Sequence, residues 1–215
     1  MKIIAVSGYK DSGKTTLCRE LIRLLSERGI SVGYIKRTHE DVTSSAGTDS
    51  GSVTAVGIPA LLWGDDGFRT EIASSDNHQS DPYEVAGKFF PAVDMVVLEG
   101  GKNLALPKIW VSRPDENVPD VPGIIAVYDR YQGGDGECRY GANETGRLAS
   151  DIAGKLKLAP RSARVYVGRR ELPLKDFVAD FVAGGVMGMI GALKKPADPA
   201  DDNEEGYDVR VYVKK

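Results

Sequence analysis

The sequence predicts an α/β fold, in which helices sandwich a mostly parallel sheet. Apolar segments of strand length alternate with amphipathic segments of helix length through most of the 215 residues. Some strand segments, such as Met95-Val96-Val97-Leu98, are apolar at every position, which is typical of a sheet covered on both faces. A glycine-rich turn joins the first strand to the first helix. Together these three observations indicate the α/β class.

Each strand is predicted from a short apolar or β-branched run that glycine, proline or polar residues bound. The predicted strands cover residues 2–7, 31–36, 59–63, 68–73, 94–99, 108–112 and 123–128. The predicted helices cover residues 14–28, 50–56, 82–90 and 143–158. Gly29 is placed to end the first helix, and Asp81 followed by Pro82 is a typical start of the third.

The pattern changes near Pro160. A hairpin is predicted over residues 164–172, with its turn at Gly168-Arg169, and a helix follows it. An acidic linker over residues 196–206 then leads to a last strand over residues 208–213. The chain is therefore predicted to form a main domain over residues 1–160 and a small β-α-β module over residues 161–215.

One face of the helix in this module is predicted to be apolar and covered by a neighbouring surface. The apolar residues of this face are Phe177, Val178, Phe181, Val182, Val186, Met189, Ile190 and Leu193. Four glycines, at positions 184, 185, 188 and 191, each weaken the helix by about 1 kcal/mol relative to alanine, which suggests close backbone packing. The covering surface would be either the main domain or a second copy of the chain across a two-fold axis.

The charge balance and the cysteine content disfavour several classes of protein. The chain has 28 basic and 31 acidic residues, a net charge of −3, which argues against nucleic acid as the main partner. Cys18 and Cys138 are too few for a disulfide framework or a thiolate metal site. Neither a signal peptide nor a membrane span is predicted, because the first apolar run is short and the low-charge stretch 181–193 is shorter than a bilayer requires. We therefore expect a cytoplasmic protein with no membrane partner.

The turn after the first strand carries the strongest motif in the chain. Residues 8–15, Gly-Tyr-Lys-Asp-Ser-Gly-Lys-Thr, fit the phosphate-loop pattern G-x-x-x-x-G-K-[ST], in which backbone N–H groups hold phosphates at a helix N-terminus. Lys14 is expected to neutralise the β- and γ-phosphates of a nucleoside triphosphate, and the Thr15 hydroxyl to ligate Mg²⁺. The alternative, a Gly-Ser turn before an ordinary helix, is disfavoured by the strand–loop–helix context. The predicted nucleotide contacts in this segment are Gly8, Lys10, Asp11, Ser12, Gly13, Lys14, Thr15 and Thr16.

The predicted strand over residues 94–99 ends in a second candidate site residue. A carboxylate at the carboxyl end of a buried strand, beside the phosphate-loop strand, can hold Mg²⁺ directly or through water, and Glu99 fits that role. Gly100-Gly101 would then let the chain turn sharply next to the phosphates. The alternative is that Glu99 is an ordinary charge where a strand exits to solvent. Lys14 and Glu99 are the two candidates for a catalytic role.

Two further loops carry candidate ligands. Lys36 and His39 lie in a charged loop and could contact phosphates, Mg²⁺ or a partner, although a lone histidine is as often an ordinary surface residue. Asp49 could approach the metal, cap the following helix together with Ser50, or do both. No N-K-x-D guanine signature is present, and Asp129 is a candidate guanine acceptor for which a turn role is favoured.

Taken together, these segments resemble the molybdopterin-guanine dinucleotide biosynthesis protein B (MobB) family. The matching residues are the phosphate loop through Leu17, Ile35-Lys36 with Thr38-His39, Asp49-Ser50, Glu99-Gly100 with Lys102, and Pro107-Lys108-Ile109. They keep a consistent order and spacing over about residues 1–158. The resemblance adds Lys102 to the candidate nucleotide contacts.

The resemblance implies a GTP-binding protein that uses Mg²⁺ and has weak intrinsic GTPase activity at most. Members are thought to assist molybdopterin guanylyltransferase, the enzyme that joins GMP to molybdopterin, in making the guanine dinucleotide form of the molybdenum cofactor. The implied partners are GTP, that enzyme, molybdopterin-containing proteins, and a second copy of the chain in a homodimer.

Two other functions are weighed against this one. A small-molecule or nucleotide kinase should carry an arginine-rich lid, whereas the paired arginines are Arg169-Arg170 and the spaced Arg161 and Arg164, all in the C-terminal module. A metallochaperone GTPase would need Cys or His ligands at metal-binding spacing, and the chain has two of each, well separated. The accessory function is therefore favoured over both.

Overall fold

The computed structural model describes residues 1–73, 81–114, 117–132, 134, 137–158, 162–167 and 170–192. The strands in these ranges are β1 (Lys2–Gly8), β2 (Val32–Lys36), β3 (Ala60–Gly64), β4 (Gly67–Glu71), β5 (Met95–Glu99), β6 (Lys108–Val111), β7 (Ile124–Asp129), β8 (Arg139–Gly141), β9 (Val165–Val167) and β10 (Arg170–Leu172). The α-helices are α1 (Lys14–Ser26), α2 (Asp49–Ala55), α3 (Pro82–Phe89), α4 (Thr145–Lys155) and α5 (Asp176–Gly191). A short 3₁₀ helix, Ala142–Glu144, leads into α4.

Six of these strands form one parallel sheet in the order β2-β5-β1-β6-β7-β8. β1 lies in the middle, with Val6 opposite Glu99 of β5 and Gly8 opposite Val111 of β6. The carboxyl ends of these strands therefore meet at one edge, where α/β sheets bind their ligands. The prediction of a mostly parallel sheet sandwiched by helices is confirmed.

Two apolar cores cover the two faces of the sheet. On one face, residues of α1 and α4 such as Leu21 and Leu148 pack on β1, β5, β6 and β7. On the other face, Ala86 of α3 packs on Ile3, Ala5 and Val96. Each fully buried leucine or isoleucine contributes roughly 1.5–3 kcal/mol of transfer free energy to folding. The two cores therefore stabilise the position of the sheet between the helices. Among the described residues, no helix is both long and apolar enough to cross a bilayer.

The predicted elements agree with the structure apart from three differences. The seven predicted strands and four predicted helices of the main domain are present, with ends shifted by a few residues. β8 was not predicted, because a three-residue edge strand carries too little pattern to detect. β3 and β4 stand outside the parallel sheet as an antiparallel hairpin, since only Asp65-Asp66 connects them and a parallel pair needs a long crossover. The predicted helix 143–158 begins as the 3₁₀ helix and ends at Lys155.

The hairpin β9–β10 packs on the main domain of the same chain. Arg164 forms ion pairs with Asp94 and, at 3.1 Å, with Glu171. The Tyr166 hydroxyl donates to the Pro91 carbonyl at 2.7 Å, and β10 also contacts α3. The predicted turn at residues 168–169, the linker over 196–206 and the strand over 208–213 lie outside the described residues.

Helix α5 leaves part of its predicted apolar face exposed within the described chain. A Cβ added at any of its four glycines would meet no described atom within 4 Å, so these glycines do not provide close backbone packing within the described chain. Phe177, Phe181 and Met189 are 70%, 79% and 72% exposed, whereas Ala179 is 2% exposed. The described part of the main domain therefore does not cover Phe177, Phe181 and Met189, and the covering of this face by a second copy of the chain stays a prediction.

Candidate functional site

The phosphate loop connects β1 to α1 at the carboxyl edge of the sheet. Gly13 is the N-cap of α1 with φ 94°, and no side chain caps the helix there. Gly13 therefore offers the first N–H groups of α1 no side-chain acceptor, and this favours the binding of an anion at the start of the helix. A Cβ at Gly8 would lie 2.6 Å from the Val111 carbonyl oxygen and 2.8 Å from Ser12 Oγ. Both glycines are thus required by the backbone path, and the arrangement fits a phosphate group.

Lys14 lies across this loop. Its ammonium group donates to the carbonyl oxygen of Tyr9. Burial lowers the pKa of Lys14, the Glu99 carboxylate opposes that change, and the positive charge of Arg113 lowers the pKa further. Lys14, Glu99 and Arg113 therefore share one electrostatic environment beside the loop.

Glu99 is buried at the end of β5, with 6% exposure, and is hydrogen-bonded at both oxygens. The Thr15 hydroxyl donates to Oε1 at 2.9 Å, and the Tyr34 hydroxyl donates to Oε2 at 2.6 Å. Burial and the hydrogen bond to Glu99 raise the pKa of Tyr34, so its phenol stays protonated as a donor. This environment differs from that of an ordinary strand-end charge in solvent.

The pair formed by Thr15 and Glu99 is suited to a cation that phosphates help to hold. A hydroxyl that donates a hydrogen bond to a carboxylate still has free lone pairs on its oxygen, and these can ligate Mg²⁺. In the described part of the chain, no group of three or more His, Cys, Asp or Glu residues could hold a metal ion by itself. Mg²⁺ usually takes one or two protein oxygens and completes its shell with phosphates and water, so the residues present fit a nucleotide-borne ion.

Other predicted site residues lie in the elements and loops at this edge of the sheet. Lys36 ends β2 directly opposite Glu99 in register, and His39 is exposed in the loop that follows. Lys10, Asp11 and Thr16 are exposed in the phosphate loop and the first turn of α1, whereas Ser12 is 2% exposed. Lys102 is exposed in the loop after β5. All of these residues lie at the same edge of the sheet or in the loops that leave it.

Asp49 belongs to neither the phosphate loop nor the strand that carries Glu99. It is the first residue of α2, and α2 packs against β3 of the separate hairpin. The cap of α2 is Thr48, whose Oγ1 accepts from the Gly51 N–H at 3.1 Å, so the predicted cap at Asp49-Ser50 was wrong. Threonine in an extended conformation is a favourable N-cap, which leaves Asp49 to act in the first turn. A metal role for Asp49 stays a prediction.

Lys108 fixes the loop that carries Lys102. It is fully buried, and its ammonium donates to the carbonyl oxygens of Lys102 at 2.9 Å, Leu104 at 2.7 Å and Pro122 at 2.5 Å. Burial lowers the pKa of Lys108. A buried ammonium that satisfies three carbonyls holds the segment after Glu99 in one conformation.

Sequence reasoning missed three residues at this edge. Tyr34 reaches Glu99 from β2, Arg113 acts on Lys14 from the segment after β6, and Arg130 lies beside Gly13 from the end of β7. No local motif marks them, because they meet only through the order of strands in the sheet. The ring of Tyr9 in the loop also packs edge-on against Trp110, with centroids 5.4 Å apart.

Asp129, the candidate guanine acceptor, is used in a turn. Its Oδ1 accepts from the N–H groups of Tyr131 at 2.8 Å and Gln132 at 3.2 Å. This contact agrees with the turn role that the sequence favoured.

Known proteins resemble this chain in sequence. A family model described as molybdopterin guanine dinucleotide synthesis protein B (MobB) matches residues 3–129. A putative molybdopterin-guanine dinucleotide biosynthesis adapter protein of Methanocaldococcus jannaschii is 27% identical over 248 aligned positions, which cover 100% of this chain and 99% of the relative. The molybdopterin-guanine dinucleotide biosynthesis adapter protein of Escherichia coli K12 is 29% identical over 134 positions, which cover 58% of this chain and 76% of the relative.

Solved structures show the same fold. A crystal structure of a molybdopterin-guanine biosynthesis protein B has 25% identity and a TM-score of 0.55, covering 72% of this chain and 99% of that chain. The structure of a MobB homologue from Bacillus stearothermophilus has 20% identity and a TM-score of 0.53, covering 73% and 99%. Since the family model spans more than half of the sequence, this chain belongs to the MobB family.

Proposed function

We propose that the protein binds GTP together with Mg²⁺ and acts as an adapter in making the guanine dinucleotide form of the molybdenum cofactor. The observation that carries the nucleotide part is the contact of Thr15 with Glu99 beside an uncapped phosphate loop. Membership of the MobB family, and the adapter names of the relatives, support the pathway.

The residues of the site divide the work of holding the triphosphate. Backbone N–H groups of residues 8–16 hold phosphate oxygens, and Lys14 exchanges its contact with Tyr9 for the β- and γ-phosphates. Thr15 and Glu99 hold Mg²⁺, which when bound neutralises charge on the phosphates. Lys36, His39 and Lys102 are proposed to add positive or polar contacts from neighbouring loops, and the register of Lys36 opposite Glu99 supports this for Lys36.

Hydrolysis by this site is proposed to be slow. Glu99 is hydrogen-bonded at both oxygens by Thr15 and Tyr34, an arrangement that suits holding a metal more than accepting a proton from water. In fast phosphoryl-transfer enzymes an arginine usually stabilises the negative charge of the transition state, and it raises kcat by about 10³- to 10⁵-fold. Catalysis by Lys14 and Glu99 would then be a weak GTPase activity that a partner protein stimulates.

Protein partners follow from the apolar surface. Trp63 and Phe68 of the β3–β4 hairpin are 80% and 70% exposed, and α5 exposes Phe177 and Phe181. Exposed aromatic side chains of this kind mark interaction sites. We propose molybdopterin guanylyltransferase, molybdopterin-containing proteins and a second copy of the chain as partners, with a cytoplasmic location. In this proposal residues 1–160 bind the nucleotide and residues 161–215 form an appended module.

Calorimetric titration of the full chain with GTP and ATP, each with and without Mg²⁺, tests the nucleotide function. We expect tighter binding of GTP, and turnover below about 1 s⁻¹ without a partner, because Thr15 and Tyr34 already occupy both oxygens of Glu99. Turnover above about 1 s⁻¹ without a partner would overturn the accessory function, and phosphoryl transfer to a panel of acceptors would favour the kinase. Addition of the protein to guanylyltransferase, GTP and molybdopterin tests the adapter function, with dinucleotide formation as the readout.

A further inference from the structure

The loop between β5 and β6, residues 100–107, directly follows Glu99 and begins with two glycines. Gly100 and Gly101 have φ values of 99° and 66°, in the left-handed region that glycine adopts at little cost. A pair of glycines has only weak conformational preferences of its own. Contacts from outside the loop must therefore specify the path of the chain after Glu99.

The first contact joins the β5–β6 loop to the start of the phosphate loop. Ser7 is fully buried in β1, and its hydroxyl donates to the Gly100 carbonyl at 2.7 Å. The Gly100 N–H donates to the Val6 carbonyl at 2.9 Å. Ser7 directly precedes the phosphate loop, and Gly100 directly follows Glu99. These bonds therefore connect the backbone of the two segments that carry Thr15 and Glu99.

The second contact comes from the buried ammonium group of Lys108. It donates to the carbonyl oxygens of Lys102 and Leu104 in the β5–β6 loop, and of Pro122 in the loop before β7. Burial of a charged group is costly unless its hydrogen bonds are made, and here three carbonyls accept from the three donors of the ammonium. Movement of the loop away from Lys108 would leave that charge unsatisfied, so the contact resists displacement of the loop.

We propose that Lys108 and Ser7 are positioning residues, which hold the β5–β6 loop so that the Glu99 carboxylate meets Mg²⁺ in one fixed place. This inference rests on the proposed function, because it assumes that Thr15 and Glu99 hold a nucleotide-borne Mg²⁺. Mg²⁺ requires nearly ideal octahedral geometry, so a small displacement of a ligand weakens its binding. Lys108 and Ser7 act through the backbone that follows Glu99, and not on the ion itself.

The test compares nucleotide binding with and without Mg²⁺ in the full chain. Ser7→Ala and Lys108→Met are each expected to weaken Mg²⁺ binding, titrated at fixed GTP concentration, by about 10-fold or more, the range for losing a partner that orients a metal ligand. GTP binding without Mg²⁺ should stay the same, because the phosphate loop is retained. Ile152→Ala is the matched control, since it removes buried volume from α4 on the opposite face of the sheet. It should lower the unfolding temperature and change neither titration.

A double-mutant cycle shows whether the effect passes through Glu99. In the Glu99→Gln background, adding Ser7→Ala should weaken Mg²⁺ binding no further, because the positioned carboxylate is already lost. The same additional loss in both backgrounds would mean that Ser7 acts on Mg²⁺ binding independently of Glu99, and this would overturn the inference.

Thermal unfolding establishes that each variant is folded at the temperature of the titration. Ser7→Ala removes a single buried hydroxyl, so it tests the inference even if Lys108→Met does not fold. An unchanged Mg²⁺ titration of either folded variant would overturn the positioning role of that residue, as would an equal loss of GTP binding with and without Mg²⁺. If the unaltered chain binds GTP but Mg²⁺ does not tighten that binding, the proposed role of Thr15 and Glu99 fails, and the inference fails with it.

Discussion

Tyr34 and Glu99 are joined by a hydrogen bond of 2.6 Å, in which the phenol donates to Oε2. The other oxygen of Glu99 accepts from Thr15, a residue of the phosphate loop. A strand-end carboxylate is thereby held between β2 and the loop. Outer partners of this kind orient the groups that hold a metal ion.

Tyr34→Phe is expected to weaken Mg²⁺ binding, measured with nucleotide present, by about 10-fold. This is the lower end of the range for losing such an outer partner, because the Tyr34 side chain is partly exposed. Binding of the nucleotide without Mg²⁺ should stay the same. Tyr83→Phe, which removes a hydroxyl from α3, is the matched control. Identical Mg²⁺ titrations of the two variants would show that Tyr34 is only a surface residue.

Thr15→Ala and Glu99→Gln should each reduce Mg²⁺-dependent GTP binding and hydrolysis more than Mg²⁺-free binding. Their proposed role is to hold Mg²⁺, which would neutralise charge on the phosphates. The measurement is a Mg²⁺ titration at fixed GTP concentration. Should both variants titrate like the unaltered chain, the metal ligands lie elsewhere and Glu99 serves only the packing of the loop.

Lys14→Ala is expected to lower triphosphate affinity by about 10- to 150-fold, since a charge-assisted contact to phosphate contributes roughly 1.5–3 kcal/mol. The folded state should persist, because the hydrogen bond that Lys14 donates to the Tyr9 carbonyl is exposed and lies within the phosphate loop. Calorimetry with GTP and thermal unfolding of the same sample check both statements. A folded variant with unaltered affinity would contradict the phosphate-loop assignment.

Arg164→Leu should lower the free energy of unfolding by about 3–5 kcal/mol, the usual result of removing one partner from a buried ion pair. Arg164 and Asp94 are only 9% and 8% exposed, and Asp94 also accepts from Ser31. Urea unfolding measures the change. Arg23→Ala is the control, because its ion pairs on α1 are exposed and screened by solvent, so this change should lower the free energy of unfolding far less. Equal effects would mean that β9–β10 is not anchored through Arg164.

Cys18 should resist thiol reagents in the folded protein. It is fully buried in α1, and burial together with the Glu99 charge raises its pKa to about 12, so the reactive thiolate is scarce at pH 8. Cys138 is partly exposed and should react first. Counting titrated thiols at pH 8, with and without denaturant, should give one and then two. Two fast thiols in the folded state would show that α1 opens readily.

The sequence was sufficient to predict the parts of this fold that depend on contiguous residues. The phosphate loop lies in one short segment between a strand and a helix, and Glu99 ends the most apolar strand, so both could be predicted locally. Tyr34 and Arg130 could not be predicted in this way. In the sheet order β2-β5-β1-β6-β7, one strand separates β1 from β2, which carries Tyr34, and one separates it from β7, which Arg130 follows.

The remaining errors come from weak or ambiguous patterns. The edge strand β8 has three residues, fewer than periodicity can resolve. Helix α5 is apolar around most of its circumference, so helical spacing alone could not tell which face would meet the main domain. Asp49 and Thr48 are both good caps, and the choice between them depends on backbone conformation.

The edge-on contact of Tyr9 with Trp110 gives the phosphate loop an optical signal. The chain has two tryptophans, and Trp110 is 1% exposed whereas Trp63 is 80% exposed. A collisional quencher in solution will therefore quench the fluorescence of Trp63 strongly and that of Trp110 very little. With Trp63 replaced by phenylalanine, all remaining indole fluorescence comes from a ring that touches the loop, so its rearrangement can be followed in real time without an attached dye.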